Sequence, residues 1–148
     1  MNSTSIVLAS RPTAAHGPDN FRIEEHELPE PGEGQLGLRV LYLSLDPYMR
    51  GRMSAAKSYA EPVPVGGVME GETISEIVSS RHPNFNTGDI VRATTGWRTS
   101  AVMDAGGVRH VNTHGAPITT PLGVLGMPGF TAYSGMKVIG QPKPARRS

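Results

Sequence analysis

A chain of 148 residues is long enough for one domain with a buried core. Its net charge of +1 gives no support to nucleic-acid binding, and the absence of cysteine excludes disulfides, thiol catalysis and cysteine-ligated zinc. No apolar stretch approaches the roughly 20 residues of a membrane span, and Met1–Ser10 lacks the basic-then-apolar pattern of a signal peptide, so a cytoplasmic location is expected. The 18 glycines and 13 prolines follow no period and punctuate short apolar runs, which points to a mainly β fold.

In chain order, Ile6-Val7-Leu8 predicts a first strand, ended by Arg11-Pro12. Gly17-Pro18-Asp19-Asn20 predicts a turn, and Phe21 to Leu28, with Phe21 and Ile23 alternating, a half-buried strand. After the connector Pro29–Gly34, Gln35 to Ser44 reads as a long strand entering the core: Leu36, Leu38 and Val40 alternate, and Leu41-Tyr42-Leu43 runs on. Asp46-Pro47 breaks it, with a short helical turn expected to follow. Ser54 to Pro64 predicts a surface loop, and Val68 to Ser80 a pair of strands. The turn at Pro83–Asp89 feeds a strand over Ile90–Ala93, with further strands over Trp97–Val102 and Val108–Val111. Such regular alternation of strand and turn suggests a partly closed barrel. Past Pro121 the pattern changes. Phe130, Tyr133, Met136 and Ile139 have helical spacing, which predicts one closing helix from about Gly129 to Ile139, stopped by Gly140, Pro142 and Pro144.

Few motifs carry chemistry. Of the five histidines, only His110 and His114 have a ligand-like spacing, and the residues between them do not read as the helix this spacing needs, so no metal is expected. Ser54-Ala55-Ala56-Lys57 has the spacing of a lysine-activated serine nucleophile, but its partner motifs are absent and a solvated loop accounts for it. No glycine-rich phosphate loop is present. Tyr48, after the strand-breaking Asp46-Pro47, and Tyr59, in a loop of small residues, read on these grounds alone as packing or surface tyrosines.

The segment from Leu41 to Met53, with Leu45-Asp46-Pro47-Tyr48-Met49-Arg50-Gly51-Arg52 at its centre, closely resembles the zinc-independent medium-chain dehydrogenase/reductases of the prostaglandin/leukotriene reductase, plant alkenal reductase and curcumin reductase group. Leu8–Pro12, Ser80–Pro83 with Phe85 and Gly88-Asp89, and Leu122–Tyr133 resemble that group in the same order, so the likeness runs over about residues 5 to 144. It implies a GroES-like, partly open β-barrel over residues 1–144, with 145–148 as a tail cut off before a Rossmann domain. It further implies an NADPH-dependent enzyme that reduces the carbon–carbon double bond of α,β-unsaturated ketones or aldehydes, inactive in this fragment, which would hold NADPH weakly if at all. By the same resemblance Tyr48 and Tyr59 face the substrate, while Met127, Pro128 and Thr131 line the nicotinamide side with Pro47 nearby. The partner is then a small enone or enal, with homodimerisation an option. The alternative is a stand-alone barrel acting as a binding or assembly module. The chain departs from the group's glycine-rich run at Glu70, Glu72 and Ser75, where the carboxylates either reach the cleft and disfavour a phosphate-bearing cofactor or face solvent.

Overall fold

A computed structural model describes residues 1–143. The expected tail at 145–148, and Pro144 before it, lie outside the described residues. The chain forms two compact units, Met1–His110 and the segment from Val111 onward.

The first unit is built of antiparallel strands: β1 (Asn2–Leu8), β2 (Phe21–Glu27), β3 (Gln35–Leu43), β4 (Thr73–Ser80), β5 (Ile90–Ala93), β6 (Ser100–Asp104) and β7 (Arg109–His110). β1 and β2 form a two-stranded sheet, and the other five are ordered β6-β3-β4-β5-β7. Backbone bridges from Ser5 to Arg98 and from Val7 to Val68 bring β1 against the loops of the larger sheet, giving the partly open barrel. One helical turn, α1 (Tyr48–Arg52), interrupts the strands.

Two apolar clusters hold this unit together. Leu36, Leu38, Ile77, Val91, Ala93, Ala105 and Val108 pack on one face of the larger sheet, flanked by Phe85 and Met103. Full burial of each leucine or isoleucine contributes about 1.5–3 kcal/mol before entropy is counted. The second cluster, Leu8, Met49, Met53, Val63 and Met69 with Phe21 and Trp97 at its edge, lies under α1 and the loop after it.

The strand expectations hold in type and order, with four corrections. Leu41 and Tyr42 are exposed rather than core-directed, because a register shift between Val40 and Tyr42 re-aims the end of β3. Ile23 also faces solvent, on a two-stranded sheet with one face uncovered. The stretch Val68–Ser80 yields one strand, β4, since Val68 makes only an isolated bridge and Gly71 lies between. The strand expected over Trp97–Val102 begins at Ser100 instead: Trp97 donates its backbone N–H to the Met69 carbonyl in a loop pairing.

The second unit contains a short 3-10 turn, Thr120–Leu122, and α2 (Met127–Ser134), which continues as a π-helical segment, Gly135–Gly140. The closing helix thus starts two residues before its expected position, at a cap by Gly126 with Pro128 in the first turn, where a missing N–H costs nothing. The wider bonding is seen where Gln141 N–H donates to the Met136 carbonyl at 2.8 Å. Gln141, with φ 37°, is in the left-handed conformation and ends the helix.

Candidate functional site

Asp46-Pro47 ends β3 and opens α1: the Asp46 and Pro47 carbonyls accept the N–H groups of Met49 and Arg50, both at 3.1 Å. Pro47 itself is the exposed N-cap residue, with φ −56°. A single helical turn then sorts its residues by face. Met49 is buried in the second apolar cluster, whereas Tyr48 is 40% exposed. Arg52, four residues after Tyr48, turns its guanidinium back over the same side of the helix, 5.6 Å from the centroid of the Tyr48 ring.

Arg52 is the centre of the arrangement. Only 7% exposed, it stacks its guanidinium 4.7 Å from the centroid of the Tyr59 ring as well. Its Nε lies 3.2 Å from Glu70 Oε2, and its Nη1 donates to the Ala60 carbonyl at 3.3 Å. The structure therefore brings Tyr48 and Tyr59 together on one cation, although Tyr59 is itself 85% exposed. The loop carrying Tyr59 is closed at its base by Arg11, which donates to the Met53 carbonyl at 2.9 Å and to the Val63 carbonyl at 3.0 Å. Val63 N–H donates to the Arg52 carbonyl at 2.9 Å and secures the same closure.

Burial raises the Tyr48 pKa above the ordinary phenol value, and the charges of Glu70 and Asp46 add to the rise, while Arg52 opposes it. At neutral pH the Tyr48 hydroxyl is therefore a neutral donor. Glu70 and Glu72 each meet an arginine: Glu70 pairs with Arg52, and Glu72 lies 3.5 Å from Arg92. Ser75 is buried in β4, its hydroxyl 3.3 Å from that of Thr73, which in turn meets the Ala93 carbonyl and the Thr95 hydroxyl, both at 3.0 Å. A side chain at Gly71, between the two glutamates, would make its neighbours shift. A Cβ there would lie 2.5 Å from Leu43 Cδ1, 3.2 Å from Trp97 Cδ1 and 3.3 Å from Met49 Cε.

Met127, Pro128 and Thr131 belong to the second unit, at the start of α2, and all three are exposed. Met127 and Thr131, four apart, share one helix face. The turn before them is not a phosphate cradle. A Cβ on Gly126 would meet the Pro121 carbonyl oxygen at 1.9 Å, and one on Gly129 the Val124 oxygen at 1.8 Å. The space these glycines leave is filled by carbonyl oxygens of the chain itself. Neither glycine therefore leaves an open space on its Cβ side.

The remaining candidates have local roles. Ser54 Oγ accepts the Ala56 N–H at 3.1 Å within a loop, not on the helix that a lysine-activated serine requires, and Lys57 is exposed. His110 Nε2 lies 3.1 Å from the Asn84 carbonyl and its ring stacks on Phe85, while His114 sits in a turn at φ 49°. Among the described residues no three His, Cys, Asp or Glu side chains converge, and no helix is long and apolar enough to cross a membrane. Sequence reasoning missed Arg52 as the hub and Arg11 as the loop's clasp. The available signal for Arg52 was its spacing of four from Tyr48 in an expected helical turn. Nothing local pointed to Arg11, whose partners are more than 40 residues away.

Residues 4–111 match a family described as the N-terminal domain of oxidoreductase. The NADPH-dependent curcumin reductase of Escherichia coli (strain K12) is 53% identical over 137 residues, which are 93% of this chain and 40% of that protein. Prostaglandin reductase 1 of Rattus norvegicus is 39% identical over 120 residues, 79% of this chain and 34% of that one. The crystal structure of CurA in complex with NADPH from Vibrio vulnificus superposes with a TM-score of 0.88 at 49% identity, over 95% of this chain and 42% of that one. The chain spans about 40% of the length of the curated relative it matches at 53% identity. On these matches the chain belongs to the family of oxidoreductase N-terminal domains, and it is similar over that region to curcumin, prostaglandin and alkenal reductases.

Proposed function

We propose that this chain is the substrate-side domain of an NADPH-dependent reductase of the carbon–carbon double bond in α,β-unsaturated ketones or aldehydes. The observation that carries the reading is the pair of tyrosines, Tyr48 and Tyr59, gathered on Arg52. NADPH supplies a hydride when bound, and its phosphates would be held by length that the relatives have beyond the residues matched here.

Reduction of an enone at its β-carbon moves negative charge onto the carbonyl oxygen. A phenol hydroxyl suits that oxygen, since it donates one hydrogen bond and carries no charge. In our reading Tyr59 donates to the developing enolate, and its exposure leaves the hydroxyl free to do so. Tyr48, kept neutral by burial and by Glu70, borders the substrate beside it. Pro47 fixes the approach of α1, and Met127, Pro128 and Thr131 would contact the nicotinamide end. With so few contacts against the full entropic cost of association, residues 1–143 alone should bind NADPH no tighter than about millimolar.

The test is a chimaera joining residues 1–143 to the remaining length of the Escherichia coli relative, assayed with NADPH and a simple enone. Tyr59→Phe is expected to lower kcat about tenfold or more with little change in KM, as for an interaction made in the transition state. Residues 1–143 alone should give no turnover. An inactive chimaera that folds and binds NADPH would refute the assigned reaction, and an unchanged kcat in Tyr59→Phe would refute the assigned role.

A further inference from the structure

We propose that Arg52 is a positioning residue: with Glu70 as its counter-ion, its buried guanidinium holds the rings of Tyr48 and Tyr59 and the Ala60 carbonyl, and so sets the Tyr59 loop over the site from outside that loop. This deepens the reading above, on which the two tyrosines face substrate.

The loop over residues 54–62 has no regular structure, and its residues from Ala55 to Tyr59 are all exposed. Its base is fixed independently, by Arg11 on the Met53 and Val63 carbonyls and by Val63 and Met53 in the second apolar cluster. Toward the tip the contacts from outside the loop are made by Arg52: to the Tyr59 ring at 4.7 Å and to the Ala60 oxygen at 3.3 Å. A cation held against an aromatic face is attracted by the ring quadrupole, more strongly where water is excluded. Arg52 is nearly fully buried, so its charge requires a partner, and Glu70 at 3.2 Å provides it.

The groups around Tyr48 make the arrangement readable in solution. Glu70, Asp46 and Glu72 favour its neutral form, and Arg52 favours the phenolate. Removing Arg52 should therefore move the Tyr48 titration to higher pH, and removing the Glu70 charge should move it lower. A side chain that only filled space would not produce this pair of opposite shifts.

The experiment uses the chain as it stands and needs no turnover. Trypsin cleavage after Lys57, an exposed loop residue two positions from Tyr59, is timed by mass spectrometry under native conditions, where its rate tracks the population of the open loop. Far-ultraviolet circular dichroism confirms folding of each variant. Arg52→Met should speed the cut about tenfold, and Tyr59→Leu about threefold. Tyr59→Phe, which keeps the ring on the guanidinium, should cut at the rate of the unaltered chain. In parallel, nuclear magnetic resonance of carbon-labelled tyrosine should show the Tyr48 titration rise in Arg52→Met and fall in Glu70→Gln. Equal cleavage rates in Tyr59→Leu and Tyr59→Phe would overturn the proposal, as would a Tyr48 titration unmoved by Glu70→Gln. These two arms decide it even if Arg52→Met does not fold. Because neither depends on catalysis, an inactive chimaera would remove the assigned reaction and leave this result standing.

Discussion

In the unit Met1–His110, Leu36, Leu38, Ile74, Ile77 and Val91 are wholly buried, whereas from Val111 onward Val124, Leu125, Phe130, Val138 and Ile139 are each 61–84% exposed. Both regions are well supplied with apolar side chains, so composition does not separate them. Pairing does. Each strand of the larger sheet has an antiparallel neighbour, and its buried residues pack with Phe85, Ala105 and Val108. The helical run Met127–Gly140 has no buried residue. Its apolar residues are not confined to one stripe, so no single surface could bury them all. A helix of that kind depends on neighbours on several sides, while a strand is completed by the sheet that it joins.

The contrast can be tested by substitution. The largest effect is expected in the sheet: Leu38→Ala should cost about 2–5 kcal/mol in denaturant unfolding, the range for emptying a fully packed leucine site. A loss below about 1 kcal/mol would mean that the cluster is loosely packed. Next comes Gly71→Ala, where the added methyl meets Leu43, Trp97 and Met49 under the candidate site. Overpacking of this kind costs about 1–3 kcal/mol, and the same variant should disturb the Tyr48 titration because Met49 belongs to α1. A variant as stable as the parent would show that the floor of the site yields.

A smaller effect concerns pH. The folded-state pKa of Tyr48 is raised, so above the ordinary phenol value of 10.0 the unfolded chain gives up this proton first. The unfolded state then holds fewer protons than the folded one, and stability falls as pH rises from that value toward the folded pKa. Tyr48→Phe should lessen this alkaline loss and change nothing between pH 6 and 8, as read by unfolding at a series of pH values. The smallest effect is expected in the second unit, where Phe130→Ser should shift unfolding by no more than about 0.5 kcal/mol. A loss comparable to that of Leu38→Ala would overturn the contrast between the two regions.

The candidate site was legible in outline. The Asp46-Pro47 break, the helical turn after it and the surface loop over 54–64 all follow from local chemistry, since proline restricts the residue before it and small polar residues favour a loop. The tyrosines could be singled out only through the resemblance, because a tyrosine in a turn and another in a loop carry no local mark of function. Arg11 was not legible at all. Its two hydrogen bonds reach carbonyls at Met53 and Val63, and no periodicity connects residues so far apart.

The sequence by itself determined the kinds of element and their order, because strand, turn and helix preferences act over a few residues and the punctuation by glycine and proline is local. It also determined that cysteine chemistry has no place here. Only the tertiary structure decided which apolar residues are covered. The register shift after Val40 turned Leu41 and Tyr42 outward, and the uncovered two-stranded sheet left Ile23 in solvent. It alone decided what the added carboxylates do, pairing Glu70 with Arg52 and Glu72 with Arg92. Such pairings depend on Coulomb and packing terms between groups that become neighbours only when distant segments close on one another. That information lies in the register of the strands and not in any window of residues.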